Sequence, residues 1–247
     1  MRINQNVYIV ASGKMGFDWT HPSDCNVYLL DGDDELALID TGTGESVDAI
    51  LSHLTNYGFS PSRLNYILLT HLHADHAGGA AKLRAKTGAK VAVIENGKEK
   101  LESGDETAID LVIARKAGFY PSDYRFMPCR VDIALHDGDC LNIGRLRVRV
   151  CYTPGHSRFD TSFLVEDVEG QVLLFCGDTV FYDGKISMLN THDFNLHHLA
   201  DSIAKLHQEK VDVLLPGHFQ PALRNGSQHI EKAHSIFTNL GVPENII

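Results

Sequence analysis

The stretch that most constrains this chain is THLHADHAGG at residues 70–79, which follows directly on the apolar run YILL at 66–69. Three histidines and one aspartate crowd into six positions there: His71, His73, Asp75 and His76. Such side chains can be buried only if they are hydrogen-bonded, neutralised or bound to a cation. On an extended chain the first two histidines point the same way, whereas the adjacent aspartate and third histidine leave the backbone in different directions. We therefore predict two neighbouring metal ions.

The same arrangement recurs further along the chain. Three more predicted strands, near 148–153, 172–175 and 211–215, each run into a glycine and then into one side chain of metal-ligand type. These side chains are His156, Asp178 and His218. Any one of them alone is typical of a turn residue hydrogen-bonded to the backbone, but the recurrence at each of these strand ends favours a shared metal site. Gly78 and Gly79 add a tight entry into a helix, where small residues let the backbone approach the site.

This ordered set of residues, together with Asp40 in LIDTG at 38–42, resembles the ligand set of the metallo-β-lactamase superfamily over about residues 7–240. The resemblance implies an α/β fold, the αβ/βα four-layer sandwich, with the site in a cleft between two similar halves. It implies one ion held by His71, His73 and His156, a second held by Asp75, His76 and His218, and Asp178 bridging the two. Asp40 would orient the site from outside, since metal-bound imidazoles need a partner on their other nitrogen.

The resemblance also indicates a branch of the superfamily and a reaction. Asp178 stands where the antibiotic-hydrolysing branch usually has Cys or Ser, so the chain is more similar to glyoxalase-II-like thioesterases and lactonases than to a β-lactamase proper. That branch implies hydrolysis of a carboxylic ester, lactone or thioester by metal-bound hydroxide. Asp75 would also hold the hydroxide and pass a proton to the leaving group. Tyr182 is a candidate for hydrogen-bonding the substrate carbonyl, although Phe181 occupies the aligned position.

The ligand types also predict the metal. Imidazole-rich ligation with open positions for water is typical of zinc, and iron or manganese also suit a His/Asp set. We therefore expect two divalent ions, with zinc first. Cys176 lies close to the predicted bridging aspartate and is interpreted as a small core residue.

Composition and net charge indicate which classes of partner and which cellular location to expect. The net charge of −10 and the absence of a Lys/Arg run disfavour nucleic acid. No apolar run reaches the 18 residues of a membrane span, and residues 1–6 lack the apolar segment of a signal peptide. The five cysteines are odd in number and form no C-x-x-C pair, which favours reduced thiols. We expect a cytoplasmic protein that acts on a small molecule, and the sequence leaves a homo-oligomer open.

Alternating strand and helix patterns predict one domain over residues 1–247. Two segments stand outside the pattern. Residues 96–128 form a predicted insertion, with a helix over 105–118 and an aromatic stretch after it. This insertion is a lid over the site, a contact with a second subunit or a surface segment that packs its own aromatic side chains. The loop 12–21 is a second candidate flap. His21 and His192 are interpreted as ordinary loop histidines.

Other functions remain open at this stage. An iron-dependent oxidoreductase of the same superfamily is one, although the chain keeps His73 where the diiron reductases typically depart from histidine. A phosphodiesterase or nuclease is disfavoured by the acidic charge. A metal-free binding protein is disfavoured by the complete ligand set.

Overall fold

The computed structural model describes residues 1–246 and divides them into two compact units. The first comprises residues 1–135 with 143–145, and the second comprises 136–142 with the residues from 146 onward. The strands of the two sheets are β1 Val7–Ala11, β2 Val27–Asp31, β3 Leu36–Ile39, β4 Leu64–Leu68, β5 Lys90–Ile94 and β6 Ile133–Leu135, then β7 Cys140–Ile143, β8 Leu146–Tyr152, β9 Thr161–Glu166, β10 Val172–Gly177 and β11 Val213–Pro216. The helices are α1 Val47–Asn56, α2 Ala74–Ala77, α3 Ala80–Thr87, α4 Glu95–Ser103, α5 Leu111–Lys116, α6 Leu196–His207 and α7 Gly226–Thr238.

The first unit is built on a six-stranded sheet in the order β1-β2-β3-β4-β5-β6. Strands β1 to β3 pair antiparallel, whereas β3 to β6 pair parallel. The parallel strands β3, β4 and β5 are mostly apolar, as expected for parallel strands that are covered on both faces. Because parallel strands end at the same edge of a sheet, the loops after β3 and β4 leave the sheet side by side.

The second unit is built on a five-stranded sheet in the order β11-β10-β9-β8-β7. Strands β10 and β11 pair parallel, and β9 pairs antiparallel with both β8 and β10. Helices α6 and α7 pack their apolar faces on this sheet around Leu199, Ile203 and Ile230, which are fully or almost fully buried. Because β10 and β11 are parallel, the loops after them also leave this sheet at one edge.

The helices of the insertion at 96–128 differ from those that the sequence pattern predicts. The helix expected over 105–118 is reduced to α5, and a separate helix, α4, precedes it. Asp105 accepts hydrogen bonds from the backbone amides of Thr107 and Ala108, which offers this segment a turn in place of a helix. Asp110 then takes a left-handed backbone conformation with φ of 54°, so helix α5 begins only after it.

One strand of the second sheet lies outside the predicted pattern. The sequence pattern does not predict strand β7, because this strand is only four residues long and largely exposed. Among residues 1–246, no helix combines the length and the apolar character needed to cross a membrane. The prediction of a single domain over the whole chain stays a prediction.

Candidate metal centre

Asp40 and the motif at 70–76 lie at one edge of the first sheet because their strands are parallel neighbours. Ile39 at the end of β3 pairs with Leu68 at the end of β4. The Asp40 amide also donates to the Leu68 carbonyl at 2.9 Å. Asp40 has φ of 62°, and this left-handed conformation turns the chain sharply after β3. The local backbone thus explains why a carboxylate from one strand end meets imidazoles from the next.

Hydrogen bonds fix the protonated nitrogen of two histidines in this cluster. The Nδ1 of His76 lies 2.8 Å from Oδ2 of Asp40, and because a carboxylate only accepts, this nitrogen carries the proton. The Thr70 hydroxyl donates to the same Oδ2 at 2.7 Å, so it accepts from Nδ1 of His71 at 3.1 Å. Both rings therefore present Nε2 as an acceptor, which is the form of imidazole that binds a metal.

The four predicted ligands of the first unit lie together. The rings of His71 and His76 have centroids 4.0 Å apart, and those of His71 and His73 lie 4.7 Å apart. Oδ2 of Asp75 is 3.6 Å from Nε2 of His76. The rings of His71 and His76 are almost completely buried, whereas His73 and Asp75 are half-buried.

The second unit brings its three predicted ligands together in the same way. Gly177 at the end of β10 pairs with Pro216 at the end of β11, so Asp178 and His218 follow at one edge. Oδ2 of Asp178 lies 3.5 Å from Nε2 of His218 and 3.6 Å from Nε2 of His156. His156 lies in the loop after β8, and its Nδ1 donates to the Ser187 carbonyl at 3.2 Å, which leaves Nε2 as the acceptor.

Helix α6 fixes the loop that carries His156. Gly155 has φ of 150°, and a Cβ atom at this position would lie 2.4 Å from the backbone of Leu199 in α6. The Gly155 carbonyl accepts from the Asn195 amide at 2.8 Å. The sequence pattern of a glycine before the ligand therefore has a steric cause here, because only glycine allows the loop to contact the helix backbone this closely.

These donor sets fit divalent cations. In each unit an acceptor Nε2 faces a carboxylate oxygen at about 3.6 Å, namely His76 beside Asp75 and His156 beside Asp178. Two acceptor atoms at this distance repel each other, and a cation coordinated by both removes the repulsion. The other ring nitrogen of each of these histidines is already occupied by a carboxylate or a carbonyl, which is the usual support of metal-bound imidazole.

Sequence reasoning missed one residue at the first cluster. The Tyr120 hydroxyl donates to Oδ1 of Asp75 at 3.0 Å. Burial, together with the charge of Asp75, raises the pKa of Tyr120 well above its ordinary value, so this phenol stays a proton donor. The aromatic stretch after α5 was recognised in the sequence, but nothing in its spacing predicts which ring reaches the aspartate.

Two buried cysteines lie close to these clusters without acting as thiolates. A sulfur of Cys25, an oxygen of Asp40 and a ring nitrogen of His76 lie within 4.8 Å of one another. Burial raises the pKa of the Cys25 thiol to about 12, so it is protonated at neutral pH. Cys176 packs in the apolar core of the second unit, and its thiol donates to the Val180 carbonyl at 3.1 Å. This packing agrees with the interpretation of Cys176 as a core residue.

The remaining candidates lie outside the two clusters of ligands. Tyr182 is 43% exposed, and its ring packs against His229 with centroids 4.5 Å apart. His21 is half-buried and donates its amide to the Ser46 hydroxyl, whereas His192 is exposed. Ser157 is a turn residue, whose amide and hydroxyl both donate to Asp160. The substrate-binding role predicted for Tyr182 stays a prediction.

Comparison with known proteins identifies the family. A family model described as the metallo-beta-lactamase superfamily matches residues 21–218. The chain belongs to the metallo-β-lactamase superfamily. The match includes every ligand predicted from the sequence and also Asp40.

Relatives within the metallo-β-lactamase superfamily include hydrolases. The chain is 29% identical to the acyl-coenzyme A thioesterase MBLAC2 of Bos taurus, over 84% of this chain and 79% of the relative. It is 33% identical to a hydroxyacylglutathione hydrolase of Francisella tularensis subsp. novicida, over 58% of this chain and 44% of that one. These likenesses place the protein among metallo-hydrolases.

A solved structure confirms the fold. BJP-1, a subclass B3 metallo-β-lactamase of Bradyrhizobium japonicum, is 24% identical, with a TM-score of 0.74 over 97% of this chain and 91% of that one. At this identity the likeness shows the fold alone. The metallo-β-lactamase fold predicted from the sequence is thus confirmed, with two mixed sheets flanked by helices.

Proposed function

We propose that the protein is a metal-dependent hydrolase that cleaves a carboxylic ester, a lactone or a thioester of a small-molecule substrate. The observation that carries the proposal is the tautomeric state of the clustered histidines. His71, His76 and His156 each have Nδ1 engaged as a donor, so each offers Nε2 to a cation. Histidines that served only as buried hydrogen-bonding groups would not need the same nitrogen left as an acceptor in every case.

The proposed centre holds two divalent ions, with zinc the expected metal. His71, His73 and His156 would bind one ion, Asp75, His76 and His218 would bind the other, and Asp178 would bridge them. When bound, such ions would lower the pKa of water to about 7 and stabilise negative charge on the substrate.

The side chains of this protein carry out the remaining steps of the proposed reaction. Asp75 orients the attacking water, takes its proton and passes that proton to the leaving oxygen or sulfur. The new bond forms between the water oxygen and the carbonyl carbon, and the bond from that carbon to the leaving group breaks. Asp40 and Thr70 hold His71 and His76 in the required tautomer. No side-chain nucleophile is needed.

A pocket of the second unit supports a small acyl substrate. It is lined by Phe181, Tyr182, Lys185, Phe219, Gln220 and Ile246. Phe181 and Phe219 follow closely on two proposed ligands in the chain, and their rings pack edge to face at 6.3 Å. An aromatic pocket whose lining residues follow two proposed ligands in the chain suits a substrate with an apolar acyl group and a polar reacting end. The 29% identity to an acyl-coenzyme A thioesterase over most of the chain makes thioesters the first class to test.

The test is a substrate panel on zinc-loaded protein. It comprises acyl-coenzyme A thioesters, a hydroxyacylglutathione, nitrophenyl esters, acyl lactones and a nitrophenyl phosphodiester. We expect hydrolysis of at least one carbonyl substrate, and its loss after chelation and in His76→Ala. His136→Ala is the matched control, because His136 is an exposed histidine outside both clusters.

Other outcomes would favour the competing functions. Redox-active iron without hydrolysis would favour the oxidoreductase. Cleavage of the phosphodiester alone would favour the phosphodiesterase or nuclease.

A further inference from the structure

The two oxygens of Asp75 face different partners. Oδ1 accepts the hydrogen bond from the Tyr120 hydroxyl at 3.0 Å. Oδ2 lies 3.6 Å from Nε2 of His76, on the side where the proposed ion binds. The carboxylate is therefore held with one oxygen toward the phenol and the other toward the imidazole.

Tyr120 is itself anchored by its own segment. Its ring stacks on Tyr124 with centroids 5.1 Å apart and planes inclined by 26°. The Tyr124 hydroxyl donates to the Thr43 carbonyl at 2.8 Å, and Arg115 donates to the Tyr124 carbonyl at 2.6 Å. Arg115 also forms an ion pair with Glu106. The ring stack on Tyr124 and the contacts of Arg115 therefore hold the Tyr120 ring, and none of these contacts requires the Tyr124 hydroxyl.

We propose that Tyr120 is a positioning residue that occupies Oδ1 of Asp75 and so restricts this ligand to binding the ion through Oδ2 alone. The proposal rests on the proposed hydrolase function and adds to it a role for residues 96–128. Without the phenol, the carboxylate could rotate about its terminal bond and lose the orientation of Oδ2 toward the ion and toward the attacking water. The insertion would then act as a fixed support of a metal ligand, in addition to any role in covering the substrate.

A purely structural role for Tyr120 makes different predictions. If the ring only fills space, Tyr120→Phe keeps the packing and leaves metal binding unchanged. If the hydroxyl positions Asp75, the same variant weakens metal binding without unfolding the protein. Tyr124→Phe is the matched control, because it removes one hydroxyl from the same aromatic pair but frees a backbone carbonyl instead of a ligand.

The experiment measures zinc affinity by chelator competition, and the absorption spectrum of the cobalt-loaded protein, for the wild type and both variants. We expect Tyr120→Phe to bind the more weakly held of the two ions about 10-fold less tightly than the wild type, and to show a different absorption spectrum when loaded with cobalt. Hydrogen bonds to metal ligands are typically worth about 10–100-fold in metal affinity. Tyr124→Phe should stay within about 2-fold of the wild type in the same assay. The melting temperature of each variant shows that the fold is intact.

The outcomes separate this proposal from the function on which it rests. Wild-type affinity and an unchanged cobalt spectrum in Tyr120→Phe, with a wild type that binds metal and hydrolyses its substrate, would overturn the role of Tyr120 alone. A wild type that neither binds metal nor hydrolyses any substrate would overturn both.

Discussion

Asp40 supports two histidines of the candidate centre at once. Its Oδ2 accepts from Nδ1 of His76 and from the Thr70 hydroxyl, and that hydroxyl accepts in turn from Nδ1 of His71. Its Oδ1 accepts from the Thr70 amide at 2.8 Å. A single buried carboxylate thereby sets the tautomer of both rings, although it is not itself a proposed ligand.

Asp40→Asn tests this arrangement at the scale of one residue. The amide keeps the shape and tolerates the left-handed backbone, but its NH₂ group would face Nδ1 of His76 and favour the wrong tautomer. We expect metal affinity to fall about 10- to 100-fold, measured by chelator competition. Asp24→Asn is the control, since Asp24 is equally buried in the same unit and accepts from the Thr43 amide and hydroxyl. Equal losses of affinity in both variants would contradict the account.

Tyr182 gives a second prediction at this scale. If the hydroxyl of this exposed residue donates to the substrate carbonyl, Tyr182→Phe lowers kcat by about 100-fold, because a lost donor to a developing oxyanion typically costs 100- to 1000-fold. Metal content and melting temperature should not change. Steady-state kinetics on the best substrate of the panel make the measurement, and unchanged kcat and KM would remove Tyr182 from the proposed mechanism.

At the scale of elements, the turn between α2 and α3 is shaped by close contacts. A Cβ atom at Gly78 would lie 2.3 Å from the Tyr124 hydroxyl, 2.5 Å from the Ala74 carbonyl and 2.6 Å from the Thr43 carbonyl. Gly78 has φ of −61°, so the requirement for glycine is one of space and not of backbone conformation. The glycine is thus required for contacts with Thr43, Ala74 and Tyr124, and the expectation that it brings the backbone close to the metal site stays a prediction.

Gly78→Ala is therefore expected to destabilise the protein by about 1–3 kcal/mol, the usual cost of overpacking. Chemical denaturation gives the free energy of unfolding. Combining the substitution with Tyr124→Phe removes one of the three close contacts and should recover part of the loss, as a double-mutant cycle would measure. Full stability of Gly78→Ala would show that the turn and the insertion do not pack as described.

Prediction of the elements from the sequence succeeded where the pattern is local. Three of the strands that lead to ligands follow from apolar runs that end in glycine. The sequence pattern also predicts a helix over 196–208, within one residue of the bounds of α6. The bounds of α5 were wrong because Asp105 and Asp110 act through side-chain hydrogen bonds and backbone conformation, which periodicity does not report. The contact of Tyr120 with Asp75 spans 45 residues of sequence, and no local pattern encodes it.

At the scale of the whole molecule, the chain divides into two compact units, each of which contributes a sheet and a cluster of ligands. The sequence nevertheless predicts one domain. We therefore expect a single cooperative transition in scanning calorimetry, with calorimetric and van't Hoff enthalpies that agree. Two resolved transitions, or a van't Hoff enthalpy well below the calorimetric value, would contradict the prediction.

The central claim is that the seven proposed ligands bind a pair of ions, and metal stoichiometry tests it most directly. A chelator removes bound metal from the purified protein, which is then reloaded with zinc and separated from free metal. Elemental mass spectrometry measures the zinc that remains bound per chain. We expect two zinc ions per chain in the wild type, one in His156→Ala and two in the His136→Ala control. No more than a trace of zinc, manganese or iron in the reloaded wild type would contradict it.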